Sequence, residues 1–267
     1  MEAPIGIFDS GVGGLTVTRE IMRQLPKENL VYFGDTARVP YGTKSKKTII
    51  RYSEQISRFL LTKKVKAIVI ACNTASAVAL EALQEEFDVP VIGVVEPGAI
   101  AASMATKKNS IGVIGTKATV RSGIYEKYIR AIDPSITVVT KACPLFVPLV
   151  EEGLIEDRIT DDMVERYLSE FLEYKIDALV LGCTHYPLLY NPIKRYVGKD
   201  VRLVNPAYET AKMLKALLTE KHMLNTSMES AKYEYYASDM SDLFLSFANN
   251  VLPCRVKEVQ SVRIENY

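Results

Sequence analysis

Ala67-Ile68-Val69-Ile70-Ala71-Cys72 is a short, nearly continuous apolar run that ends on a thiol and passes at once into Asn73-Thr74. Ala178-Leu179-Val180-Leu181-Gly182-Cys183 repeats the device, followed by Thr184-His185. A run that is apolar at consecutive rather than alternate positions reads as a parallel strand covered on both faces. Open α/β sheets bind their ligands outside the carboxyl ends of such strands. Each cysteine therefore stands where chemistry is expected. Two such ends facing one another across a cleft would place a thiol on either side of a small molecule.

Outward from these runs, apolar segments of four to six residues alternate with segments of helical periodicity along most of the chain, the pattern of βαβ units. Strands are expected at 4–8, 29–33, 66–71, 90–95, 110–115, 136–141, 177–182 and 201–204. Helices are expected near 14–25, 46–63, 74–87, 97–106, 118–131, 160–174, 187–197 and 206–220, with Asp161 and Asp162 suited to the positive N-terminal end of one of them. A further strand is expected at 232–237, a short helix opening at Ser241-Asp242, and a last edge strand at 255–259. The fold class is α/β. Ile5-Gly6-Ile7 and Ile111-Gly112-Val113 begin similar strands 106 residues apart (5 to 111), and the two cysteines stand 111 apart (72 to 183). Two landmarks sharing nearly one offset indicate two pseudo-symmetric domains, each a mainly parallel sheet flanked by helices, with a cysteine in each and the site in the cleft between them. The second domain is expected over 96–205, and 206–267 returns to complete the first with 1–95.

Bulk properties limit the partners. The chain of 267 residues is near the size at which one core splits into two. Its 33 Lys+Arg against 32 Asp+Glu give no electrostatic reason to expect nucleic acid or an anionic membrane, so the expected ligand is a small molecule. No apolar run approaches the roughly 18 residues of a membrane span, and no basic leader with a signal core precedes Ile5, which points to a soluble, cytoplasmic protein. Cys72, Cys143, Cys183 and Cys254 form no C-x-x-C pair. That spacing argues against a zinc site or a thioredoxin-type motif, and the compartment favours reduced thiols over disulfides.

Phe8-Asp9-Ser10-Gly11-Val12-Gly13-Gly14-Leu15 follows the first strand and precedes a helix. Its glycines permit a tight turn and turn amides toward an anion at the helix N-terminus. The spacing lacks the last glycine of G-x-G-x-x-G and the lysine of a Walker motif, so a carboxylate-binding turn fits better than a nucleotide loop. Asp9 is placed to orient, or accept a proton from, a neighbouring group, or else to cap the helix. Arg38-Val39-Pro40-Tyr41-Gly42 is a loop on the same sheet edge. Cys72 precedes a helix whose N-terminus is expected to lower the thiol pKa, and Cys183 has a corresponding setting with His185 two residues on. Cys143 and Cys254 read as structural, and His222 as solvated surface.

Phe8–Leu15, Tyr32-Phe33-Gly34-Asp35, Pro40-Tyr41-Gly42, Ala71-Cys72-Asn73-Thr74-Ala75-Ser76 and Leu181-Gly182-Cys183-Thr184-His185-Tyr186-Pro187 together resemble the cofactor-independent aspartate/glutamate racemases, and the resemblance covers essentially the whole chain. It implies interconversion of L- and D-glutamate without pyridoxal phosphate or metal, supplying D-glutamate to peptidoglycan and the cell wall, in a homodimer. It further implies Cys72 and Cys183 as the acid–base pair, with Asp9 serving Cys72 and His185 serving Cys183. Glu151 or Glu152 resembles the family's additional acidic residue. Glu152 is taken forward, with the choice between them open. Ser10, Pro40, Tyr41, Gly42, Asn73, Thr74, Thr116, Thr119, Thr184 and His185 are the implied substrate contacts, with Asp9 at their edge. Racemisation of aspartate by the same thiols, non-enzymatic binding of a dicarboxylate, and a cysteine hydrolase built on Cys183 and His185 are the competing readings; the last leaves Cys72 unexplained.

Overall fold

The computed structural model describes residues 2–239 and 242–267. In chain order, β1 (Ile5–Asp9), α1 (Leu15–Gln24), β2 (Leu30–Gly34), α2 (Lys46–Thr62), β3 (Ala67–Ile70), α3 (Asn73–Glu86), β4 (Val91–Gly93) and α4 (Val95–Ala105) form the first run of alternating elements. The second comprises β5 (Ser110–Gly115), α5 (Lys117–Ser122), α6 (Ile124–Ile132), β6 (Thr137–Ala142), α7 (Phe146–Glu151), α8 (Arg158–Glu173), β7 (Ala178–Gly182), α9 (Tyr190–Val197) and β8 (Arg202–Val204). α10 (Pro206–Glu220), β9 (Tyr233–Ala237), α11 (Asp242–Val251) and β10 (Gln260–Ser261) follow.

The strands make two sheets, β10-β9-β2-β1-β3-β4 and β6-β5-β7-β8, with every pairing parallel. The order β2-β1-β3-β4 is the order β6-β5-β7-β8, so β1 corresponds to β5 and β3 to β7. The repeat read from the sequence is therefore a repeat of topology, and the class is α/β with two related halves. In each half the chain leaves a central strand, pairs on one side, then crosses to the other, which makes the carboxyl ends of β1 and β3, and of β5 and β7, the switch points where a ligand crevice opens. All residues of β1, β2, β3, β5 and β7 are buried, as both-face coverage of consecutive apolar residues requires. One apolar cluster runs from Ile5, Val12 and Leu15 to Phe146, Leu181 and Cys183, joining the halves.

Departures from the expected elements have local causes. The helix expected over 118–131 is two, α5 and α6, broken at Gly123, whose φ of 66° ends the first in the left-handed conformation. The expected helix from 187 begins as a 3₁₀ turn, Tyr186–Leu189, before α9. The last strand lies at Gln260–Ser261, not 255–259, because the Asn249 amide takes both backbone groups of Val256 and withdraws them from any ladder. α7 was not expected. α11 begins at Asp242, and Ser241 lies outside the described residues. No described helix is long and apolar enough to cross a membrane.

Candidate active site

β1 delivers Asp9 to the turn before α1, where its Oδ2 accepts the Gly11 amide at 3.0 Å. The turn folds over the carboxylate so closely that a Cβ on Gly14 would overlap the Asp9 side chain and the Tyr32 hydroxyl. Tyr32 in turn donates to the Gly11 carbonyl at 2.7 Å. Burial raises the Asp9 carboxyl above its ordinary value, against the pull of the His185 charge and the Gly11 and Gly14 amides.

β3 ends one residue before Ala71, and Cys72 caps α3, its Sγ accepting the Ala75 amide at 3.4 Å and facing Ser10 Oγ at 3.6 Å. The helix terminus was expected to lower this thiol. Burial and then the Asp9 carboxylate outweigh the Ala75 amide and the Ser10 hydroxyl, and push it up to about 12, with charge on Cys183 acting in the same direction. Cys72 is therefore a protonated thiol at neutral pH, the reverse of the expectation.

Cys183 follows β7 at the equivalent position, but no helix begins there. Its neighbour is an imidazole, with His185 Nδ1 3.9 Å from Sγ. His185 Nε2 lies 3.0 Å from Glu151 Oε1. Burial alone would lower the imidazole. The hydrogen bonds and charges of Cys183 and Glu151 prevail and hold it up to about 10, so His185 is a cation held between two acids. The acidic residue beside it is thus Glu151 and not Glu152. Successive helical residues point about 100° apart, so α7 turns Glu151 inward while Glu152 stands exposed at the helix end.

Elsewhere the halves meet through short polar contacts. Thr16 Oγ1 donates to the Thr184 carbonyl at 2.8 Å, and Thr184 Oγ1 donates to Asp9 Oδ1 at 3.5 Å. The Thr74 hydroxyl bonds those of Thr116 at 2.9 Å and Thr119 at 3.3 Å, while Thr116 and Thr119 bond each other at 3.0 Å. Asn73 Oδ1 accepts the Tyr125 hydroxyl. Gly42 lies against Thr116, where a Cβ would come within 3.0 Å of the threonine Cβ. Tyr41 is buried with its hydroxyl on Asp35, and Pro40 is exposed. Asp35, quoted above in a motif but given no role there, also accepts Arg38 Nε and Ser238 Oγ, a buried carboxylate that anchors the 36–43 loop. Tyr125 was unmarked, since a tyrosine on the apolar stripe of a helix reads as packing.

The ensemble is two thiols of unlike surroundings, each with its own proton-handling neighbour, among hydroxyl and amide donors; among the described residues no lysine or arginine hydrogen-bonds Asp9, Cys72, Cys183 or His185. Such an arrangement suits proton transfer to and from carbon next to a carboxylate. Residues 5–214 match the sequence model of the family described as Asp/Glu/Hydantoin racemase. A glutamate racemase of Geobacter metallireducens is 49% identical over 261 residues, covering 98% of this chain and 97% of its own. The crystal structure of glutamate racemase from Francisella tularensis in complex with D-glutamate matches with a TM-score of 0.94 at 40% identity, over 100% of this chain and 99% of its own. That of glutamate racemase from Thermus thermophilus in complex with β-chloro-D-alanine matches with a TM-score of 0.90 at 44% identity, over 100% and 99%.

Proposed function

Because the chain belongs to the Asp/Glu/hydantoin racemase family, we propose that it interconverts L- and D-glutamate by a two-base mechanism run by Cys72 and Cys183. The observation that carries the reading is the placement of the two thiols after the corresponding strands β3 and β7, one per half, with Asp9 beside one and His185 beside the other. The Cys183 thiolate, next to the His185 imidazolium, takes the Cα proton. The electron pair left behind delocalises into the α-carboxylate, which planarises the carbon. The Cys72 thiol then gives its proton to the opposite face, leaving a Cys72 thiolate and a Cys183 thiol. The reverse direction exchanges the roles, and Asp9 and His185 return the protons to their starting places. Asn73, Thr74, Thr116, Thr119, Thr184 and Ser10 supply hydroxyl and amide donors to the two carboxylates. The cleft lies between a unit of residues 1–95 with 206–267 and a unit of 96–205. The setting we propose is a cytoplasmic homodimer that supplies D-glutamate to peptidoglycan.

The test is incubation with L-glutamate or L-aspartate in deuterium oxide, following circular dichroism and Cα deuteration. Glutamate should lose its optical activity with deuterium incorporated, and Cys72→Ser and Cys183→Ser should each lower the rate by about 10²–10⁴-fold or more with the fold intact. Aspartate turned over with glutamate inert would overturn the substrate. Full activity in either variant would overturn the two-thiol mechanism.

A further inference from the structure

Tyr125 belongs to α6, in the half that carries Cys183, yet its hydroxyl donates at 2.6 Å to Oδ1 of Asn73, the residue next to Cys72 in the other half. Its ring reaches that point between two glycines. A Cβ on Gly182 would come 3.3 Å from the ring edge, and one on Gly98 would come 3.4 Å from the other edge. Gly182 immediately precedes Cys183. One buried side chain thus touches the backbone beside one thiol and fixes the amide beside the other.

The bond has a chemical consequence. A phenol hydroxyl that donates to Oδ1 leaves the Asn73 amide a single orientation, with its two N–H groups turned away from Tyr125. No described residue accepts a hydrogen bond from that nitrogen. Burial keeps the phenol protonated far above its ordinary pKa, with charge on Cys183 pushing the same way, so the donor persists across the working pH range. A carboxylate between the thiols would then meet N–H donors. Were the amide reversed, it would meet a carbonyl oxygen, and the two would repel.

We propose that Tyr125 is a positioning residue for the reaction: it holds the Asn73 amide from the opposite half so that its N–H groups face a carboxylate of the amino-acid substrate. The inference rests on the proposed racemisation. It also makes the amide's orientation depend on closure, because the residue that sets it arrives with the other half.

The experiment combines Tyr125→Phe, Asn73→Ala and the double variant, each measured for KM and kcat with glutamate, for D-glutamate affinity by calorimetry, and for thermal unfolding. Tyr125→Phe keeps the ring between its glycines and removes only the hydroxyl. It should raise KM and the D-glutamate Kd roughly tenfold or more, as expected for losing a reliable hydrogen bond to a charged group, with a smaller fall in kcat. In the Asn73→Ala background the same change should do nothing further, since there is no amide left to orient. Asn73→Asp, which accepts from Tyr125 but has no N–H, should be as impaired as Asn73→Ala. Wild-type KM and Kd in Tyr125→Phe would overturn the inference, as would effects that multiply in the double variant. If the wild-type protein neither binds nor turns over glutamate, the proposed function fails and takes this inference with it. Turnover by the wild type with an unaltered Tyr125→Phe removes this inference alone.

Discussion

A thiol held at about 12 among neutral and anionic groups and a thiol 3.9 Å from an imidazolium are different reagents, although they end equivalent strands. The repeat fixes their positions. Their neighbours, Asp9 in one half and His185 with Glu151 in the other, fix their chemistry. Under the proposed two-base mechanism the resting state has Cys72 as the acid and a cation beside Cys183. Enantiomers have equal free energy in water, so kcat/KM is the same in both directions whatever the proton affinities. The inequality of the thiols therefore shows as paired differences in kcat and KM, not as a net bias. The Cys72 value is open to direct measurement. Only thiolate reacts with iodoacetamide, so below the pKa each pH unit multiplies the thiolate fraction about tenfold. Alkylation of Cys72, resolved from the other three cysteines by peptide mass spectrometry, should climb in this way from about pH 7 to 11 without levelling. A plateau by pH 9 would mean that burial and Asp9 do not govern this thiol.

At the scale of elements, β3 and β7 were legible because strands buried on both faces need consecutive apolar residues, and few other structures do. α7 was not. It has six residues, with Pro144 just before it and Pro148 inside its first turn, where a missing N–H costs nothing but the helical pattern is lost from view. The choice between Glu151 and Glu152 depended on that unseen helix, because only its phase says which carboxylate points inward. At Cys72 the helix terminus is legible in the sequence, but the depth of burial that reverses its effect is a property of packing. Another buried group shows what the opposite ends of the strands do. Lys66, just before β3, places Nζ 2.5 Å from Glu28 Oε2 and 2.7 Å from the Met223 carbonyl, while Glu28 Oε1 accepts the Asn225 amide. Both side chains are almost wholly buried, so the pair pins the segment after α10 beneath the first sheet. Lys66→Met would strand the Glu28 charge and cost about 3–5 kcal/mol, whereas Lys66→Met with Glu28→Leu should recover most of it. Chemical denaturation measures both. A double variant no more stable than the single one would show that the pair's worth is not set by stranded charge. Racemisation per folded molecule should not change, since the pair lies at the end of β3 away from Cys72.

For the molecule as a whole, the decisive property is closure. Asp9, Cys72, Cys183 and His185 are 1%, 5%, 7% and 7% exposed, and Asp9, Thr184 and Thr16 make contacts between the halves, so on the proposed function the halves part to admit glutamate and meet again around it. Gly13 sits at the point of meeting. A Cβ there would overlap Thr184 Oγ1 and the His185 ring, both carried by the opposite half. Its backbone is outside the left-handed region, so alanine is not strained by its own conformation. The nearest atoms a Gly13→Ala Cβ would meet all belong to the opposite half, and that clash is relieved by holding the halves apart. Gly14→Ala, by contrast, collides with Asp9 and Tyr32 of its own half. Displacing reacting groups by about 1 Å can cost on the order of 10²-fold in rate. Gly13→Ala should lose at least that much racemisation while its melting temperature stays near wild type, and small-angle scattering with D-glutamate should show the more extended form. Gly14→Ala should lose stability first. If Gly13→Ala instead melts as early as Gly14→Ala, the glycine serves the local turn and not the meeting of the halves. Near-normal activity with near-normal stability would show that Thr184 and His185 yield without cost, and that closure does not depend on this contact.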